Sequence, residues 1–330
     1  MKVPASLASV LAVLSAAALS SSCISEDRSC CCLSVSFSYT CNVKEADAFI
    51  SEVKDLELYI FDSKGQFVER FCENAGDGFE KDYRMVLPSL AAGKYSFVAL
   101  GRNRAVTNSD GEFRFGNLQP GKSVLADLIL ELNTRERVSN ADFAAVYNGI
   151  TECELQYGRQ SVEVPMAKLT NRLRVMMIPY DGTKPLDTEN YRFSVQSGAT
   201  LLDYKGDMLF PVPTVFRPYR YVGSSSPSPA EDEIGNAIIA DFHLSRLMVE
   251  DAPILSITMT GSGRDIVKVN LAWLLSLQGI PEHRREWSDQ EYLDRQDTYS
   301  ITFFIDGETF VKSRIIINGW VISLDDVSLG

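Results

Sequence analysis

Short runs in which every second side chain is apolar recur along this chain, and a period of two is the signature of a strand that buries one face. In Val53–Asp62, Leu56, Leu58 and Ile60 oppose Glu57, Tyr59 and Phe61. In Leu169–Ile178, Leu173, Val175 and Met177 oppose Arg172, Arg174 and Met176. Tyr191–Gln196, Ile254–Thr260 and Tyr299–Asp306 repeat the pattern, and Tyr95–Leu100, Leu128–Leu132 and Val311–Ile322 read as further strands. Asp62–Gly65 is a turn leading to a return strand at Gln66–Phe71, and Pro120–Gly121 is another. Val162–Pro165 is expected at a sheet edge, because proline cannot donate to a ladder. Helix is confined to Leu271–Leu277 and Gln290–Asp294. Many short strands punctuated by glycine and proline predict an all-β chain of sandwich domains. At about 150 residues per domain, 330 residues make two. The expected division is 43–165 and 166–330, with GSSSPSPAEDE at Gly223–Glu233 as a flexible insertion in the second domain.

The N-terminus reads as an export signal. Lys2 precedes the uncharged apolar run Ala5–Leu19, then Ser20, Ser21, Ser22 and Cys23. The run is too short for a spanning helix, which needs about 20 apolar residues. A cysteine directly after small residues resembles a bacterial lipoprotein signal, which implies cleavage between Ser22 and Cys23 and acylation of the Cys23 thiol. More than one acyl chain makes a stable membrane anchor. Residues 1–22 are then the signal and 23–42 the lipidated tether. Leu19 stands four residues before the cysteine, one off the usual lipoprotein pattern. Glu26 and Asp27 lie where acidic residues accompany surface export of lipoproteins in some Gram-negative lineages.

Charge and composition narrow the chemistry. Thirty-two Lys and Arg against 44 Asp and Glu give −12, and loss of Lys2 with the signal gives 31 − 44 = −13. That balance lacks the cationic footprint of a nucleic-acid binder. Six cysteines follow Cys23: Cys30, Cys31, Cys32, Cys41, Cys72 and Cys153. None forms a C-x-x-C pair, their disulfide pairing is open, and Cys72 and Cys153 read as buried thiols. The two histidines are His243 and His283. His243 and Ser245 would share a strand face and mimic a nucleophile–base pair, but no G-x-S-x-G elbow occurs, so His243 reads as a strand-edge residue. His283 reads as a solvated loop residue. Asp294 and Asp297 flank Arg295 and are expected to form an ion pair at a helix-to-strand junction. Asn108–Glu112 lacks the spacing of a calcium loop and reads as a hairpin turn. No metal, cofactor or catalytic constellation is expected.

Four segments carry a family resemblance: LELYIFDSKGQF at Leu56–Phe67, KLTNRLRV at Lys168–Val175, QEYLDRQDTYSITFFIDG at Gln290–Gly307 and INGW at Ile317–Trp320. In this order they resemble the FimB-like fimbrium anchor family, the lipoprotein partners of fimbrillins in the Bacteroidetes. The resemblance implies two tandem transthyretin-like β-sandwich domains, lipid attachment at Cys23 in the outer membrane, and a place at the base of a surface fimbrium, with a fimbrillin-like subunit as partner. Strand addition at an open sheet edge is the expected binding mode, with Arg314–Ile322 and the strands after the tether as candidate edges. The alternative is a surface lipoprotein that binds glycans through loop aromatics such as Tyr219, Tyr221 and Trp287.

Overall fold

The computed structural model describes residues 32–106, 111–158, 160–181, 185–223, 236–278, 286–306 and 309–324. The first half contains β1 (Cys32–Cys41), β2 (Asp55–Asp62), β3 (Phe67–Asn74), β4 (Met85–Pro88), β5 (Gly93–Arg102), β6 (Phe113–Phe115), β7 (Leu130–Leu132), β8 (Val138–Ser139), β9 (Val146–Leu155) and β10 (Gln160–Lys168). The second half contains β11 (Thr170–Pro179), β12 (Tyr191–Ser197), β13 (Leu201–Leu202), β14 (Thr214–Phe216), β15 (Arg220–Gly223), β16 (Ile238–Ser245), β17 (Ile254–Met259), β18 (Asp265–Asn270), β19 (Thr298–Asp306), β20 (Thr309–Ile317) and β21 (Trp320–Ile322). The helices are α1 (Phe49–Glu52), α2 (Leu271–Ser276) and α3 (Asp289–Arg295). The last two fall where the periodicity predicts, and Asn270 and Ser288 cap them by accepting from Trp273 N–H and Glu291 N–H.

In the first half, seven strands run in the order β3-β2-β5-β9-β10-β1-β4. The β2–β3 hairpin closes as expected. Asp62 Oδ1 accepts from the N–H groups of Lys64 and Gln66, both at 2.9 Å, and Gly65 takes φ 72°. Between β9 and β10 the ladder is only three pairs long, Met166–Gly149 to Lys168–Tyr147. A side chain at Gly149 would collide with the Pro165 carbonyl, so glycine permits this close crossing. β10 therefore lies inside the sheet and not at its edge. Pro165 nevertheless falls where β10 is laddered to β1 alone, which is how the sheet tolerates it. Leu56, Leu58 and Ile60 of β2 face Val35, Phe37, Val164 and Met166 across one core.

The expected tether at 23–42 is strand from Cys32 onward. CLSVSFSYTC alternates strictly, and Leu33, Val35, Phe37 and Tyr39 are all buried. β1 runs parallel to β10 and antiparallel to β4.

The second half stacks a six-stranded sheet, β15-β16-β11-β19-β20-β21, on a five-stranded sheet, β18-β17-β12-β14-β8. Val175, Phe242, Ile301 and Phe303 from the first meet Phe193, Val195, Leu255 and Ile257 from the second, in a sandwich core. Two ladders join the halves. β13 pairs with β7, and β14 pairs with β8. Tyr59, Phe61, Val98 and Leu100, on the outer face of the first sheet, belong to the same continuous core as the second sandwich. Lys168 at the end of β10 forms an ion pair with Asp297, and position 165 lies within β10.

Candidate interaction surface

Strand ends decide where another chain can add. The expected single strand Val311–Ile322 is instead the hairpin β20–β21. Asn318 (φ 48°) and Gly319 (φ 87°) form its two-residue turn, the geometry that an Asn-Gly pair adopts most readily. Asn318 Oδ1 accepts from Ser300 N–H at 2.7 Å, and its Nδ2 donates to Gln278 Oε1 at 2.9 Å. The turn is thereby tied to β19 and to the end of α2. β21 is the outermost strand of its sheet. Trp320 is 56% exposed and Val321 65%.

The other outermost strands are charged or very short. Glu69, Arg70 and Glu73 lie on β3, Arg220 on β15, Asp265 and Lys268 on β18 and Arg114 on β6, β4 ends in Pro88, and β8 and β13 are two residues long. β21 is short, but it carries no charge, proline or bulge. Of the strands after the expected tether, β2 is paired on both sides and β3 is outermost, while Cys32–Val35 of β1, within the expected tether, is paired on both sides.

The aromatic residues considered for glycan binding do not form one array. Tyr219 accepts from Arg172 Nη1 at 3.1 Å and lines a cavity of about 450 Å³ with Arg174, Asp241, Thr298 and Ser300. Tyr221 donates to the carbonyls of Thr188 and Tyr191, both at 3.0 Å, and packs on the core. Trp287 also packs on the core, with the Arg295 guanidinium 4.7 Å from its ring centroid.

His243 and Ser245 are both buried inside β16, so the expected strand-edge placement of His243 is corrected. Each lacks a hydrogen-bond partner among the described residues, so they do not bond to each other. The His243 ring stacks on Phe143 at 4.0 Å, and its Nδ1 lies 3.3 Å from Asp142 Oδ1 without hydrogen-bond alignment. Burial pushes this imidazole below its ordinary value and keeps it neutral, overriding the pull of Asp142.

The carboxylates near Arg295 do make ion pairs, but with other partners than expected. Asp294 grips Arg246 through two bonds of 2.8 Å, Asp297 binds Lys168, and Arg295 turns to Glu291 at 2.9 Å. The reason is spacing: Glu291 sits one helical turn before Arg295.

Among the described residues Cys32, Cys41, Cys72 and Cys153 are free thiols. Cys72 is exposed on β3 rather than buried, because the edge strand turns it outward, whereas Cys153 is half-buried and burial raises its thiol. Glu112 pairs with Arg104 at 3.0 Å, whereas Asn108 to Asp110 lie outside the described residues. Ser22, Cys23, Cys30, Cys31, His283 and nearly all of the Gly223–Glu233 insertion also lie outside them. No group of three or more metal-ligating side chains occurs among the described residues, nor does a helix long and apolar enough to cross a membrane.

The model of the fimbrillin-A associated anchor proteins Mfa1 and Mfa2 matches residues 27–326. The chain belongs to this family. Solved structures share its all-β sandwich fold. A Bacteroides thetaiotaomicron protein described as a candidate polysaccharide-binding protein is 27% identical, with a TM-score of 0.77 over 90% of this chain and 99% of the other. A candidate adhesin from the same species is 26% identical, with a TM-score of 0.75 over 90% and 99%. The fimbrial anchor protein Mfa2 from Porphyromonas gingivalis is 20% identical and shares the fold, with a TM-score of 0.66 over 88% and 98%. A search of curated proteins returned no match. Membership in the anchor family gives the chain a fimbria-associated role at the cell surface, and the signals that sequence reading missed, β1 and the Asn318–Gly319 hairpin, shape both ends of this family member.

Proposed function

We propose that this chain is an outer-membrane lipoprotein, acylated on Cys23 after cleavage behind Ser22, that holds a fimbrium by accepting an extended segment of its basal subunit along β21. In this reading the first domain, 43–165, stands nearer the membrane, and the second, 166–330, carries the fibre-binding edge. Membership in the anchor family supports a structural rather than catalytic role.

The observation that carries the reading is the unguarded edge of β21. In a two-residue hairpin the closing pair, Ile317 and Trp320, exchanges ladder bonds, so Val321 turns its N–H and C=O outward. An incoming strand would take these bonds at roughly 1 kcal/mol each. It would also cover much of the Trp320 ring, an apolar burial of roughly 2 kcal/mol. Val321→Pro removes the outward donor and leaves the β20 ladder intact. The expected result is at least about a fivefold loss of basal-subunit capture, the factor that corresponds to one such hydrogen bond, at an unchanged melting temperature. Normal capture by the variant would exclude this edge. Cys23→Ser should abolish fatty-acid incorporation and release fibres into the medium while sparing subunit capture. Undiminished labelling of that variant would sink the lipid anchor.

A second reading has one supporting observation, the cavity that joins Tyr219 to Arg172, Arg174 and Asp241. The Bacteroides protein described as a candidate polysaccharide binder lends it weight. Glycan binding that persists in Val321→Pro and vanishes in Tyr219→Ala would establish this as a separate activity.

A further inference from the structure

The most exposed large apolar side chains among the described residues are Tyr157 at 93%, Val86 at 67% and Val321. Val321 belongs to the edge already described. The other two lie toward one end of the seven-stranded sheet. Strand register defines that end: Cys32 pairs with Pro88, Leu33 with Gln160, and Gly93 with Leu155. The start of β1, the β4–β5 loop and the β9–β10 turn therefore come together there. Tyr157 stands in the β9–β10 turn, and Val86 lies on β4 two residues before Pro88.

Composition sets this tip apart. Pro88–Gly93 reads PSLAAG and Leu155–Gly158 reads LQYG, with no carboxylate, in a chain of 44 acidic residues. Ala91 and Ala92 are exposed as well. The flanking acids lie on the β2–β5–β9 side of this end, where Glu154 faces Lys94 across the ladder and Asp62 pairs with Tyr95.

We propose that this tip rests in the headgroup layer of the membrane, with Tyr157 as its interfacial anchor. The inference builds on acylation at Cys23. Nine residue steps separate Cys23 from Cys32, so the chain can reach at most about 30 Å from its lipid. The end that bears Cys32 is thus held close to the bilayer. A body of net charge −13 is repelled by anionic headgroups, and the corner formed by the β4–β5 loop and the β9–β10 turn, whose own segments carry no carboxylate, approaches at least electrostatic cost. A tyrosine supplies an apolar ring with a polar tip, the pairing that suits an aqueous–lipid boundary. β10 runs from this tip to Lys168, and only Leu169 separates it from β11, so the chain enters the second half at the far end of the strand. Seating the tip on lipid directs that entry point away from the membrane.

The test is hydrogen–deuterium exchange on the full lipidated protein in vesicles of phosphatidylethanolamine and phosphatidylglycerol, compared with the Cys23→Ser protein in solution. Amides of residues 89–93 and 156–158 should exchange severalfold more slowly on vesicles, with the turn that follows β3 at the opposite end of the sheet and the β20–β21 turn unchanged. Tyr157→Asp should lose that protection while retaining lipid on Cys23 and its melting temperature. A lipidated protein with an unprotected tip, or protection that survives Tyr157→Asp, would overturn the proposal and leave the anchor reading standing. Absence of lipid on Cys23, read by mass spectrometry, would overturn both.

Discussion

β3 and β21 are both outermost strands, one in each half, and they treat their open side in opposite ways. β3 displays Glu69, Arg70 and Glu73, and Arg70 reaches back to Glu57 at 3.3 Å. An approaching strand would have to desolvate those charges, so β3 is closed to addition although its backbone is open. β21 presents Trp320, Val321 and Ile322 and no charge. In a chain of net charge −12, an uncharged edge is a choice against solubility, and it makes sense where the edge is meant to be covered. Sheet topology alone does not distinguish the two; the side chains along each edge do.

The largest expected effect removes the scaffold behind β21. Tyr299, Ile301, Phe303 and Ile305 share the core face of β19 and are buried, while Phe304 on the opposite face is only half-buried. Phe303 packs edge-on against Phe310, with centroids 5.7 Å apart. Phe303→Ala should cost about 3–5 kcal/mol through lost burial and the remaining cavity. Thr302 is also buried, a point that alternation alone does not reveal, but Thr302→Ala removes far less volume and should cost well under half as much. Urea unfolding measures both. Equal losses would mean that the core face is wrongly assigned.

These strands were legible because each buries one face and shows the other. The β2–β3 hairpin, β11, β12, β17, β19 and both longer helices appear where the pattern puts them. β1 escaped because its outward residues are serines, which in a segment just after a signal look like a tether. The turn of β20–β21 was written as Asn318–Gly319 yet passed inside a longer apolar run. Ion-pair partners were out of reach, since Asp294 finds Arg246 from a distant strand. The availability of β21 depends on sheet order, which periodicity does not contain.

A smaller effect concerns the seam where the two halves meet. The loop carrying Asp142 and Phe143 rests on His243 of β16, and the charged groups that act on the ring are Asp142, Arg172 and Lys168. Burial lowers the folded imidazole below 6.5, so below that pH the unfolded chain binds the proton that the folded chain refuses. Stability is therefore full above pH 6.5 and falls as the pH drops through it. The Asp142 carboxyl is held low by His243 and Arg172, and its contribution is lost only below about pH 4. The protein should therefore be less stable at pH 5.5 than at pH 7.5. In urea titrations at the two values, a His243→Asn protein should show a flatter pH dependence. A parallel dependence would place the titrating group elsewhere.

The smallest effect on stability, and the sharpest test of the contrast, exchanges the character of the two edges. Val321→Lys gives β21 the guard that β3 has. Its side chain is mostly in solvent, so the fold should change by less than about 0.5 kcal/mol. Subunit capture should nevertheless fall, because an added strand would have to bury the ammonium group against its own backbone. The reverse exchange, Glu69→Val with Glu73→Val on β3, should also leave stability nearly unchanged and leave subunit capture intact. It should, however, make the purified protein self-associate, a change that light scattering reads directly. If Val321→Lys captured subunits normally while the β3 variant captured more, the receptive edge would be β3, and the functional meaning assigned to the uncharged strand would be reversed.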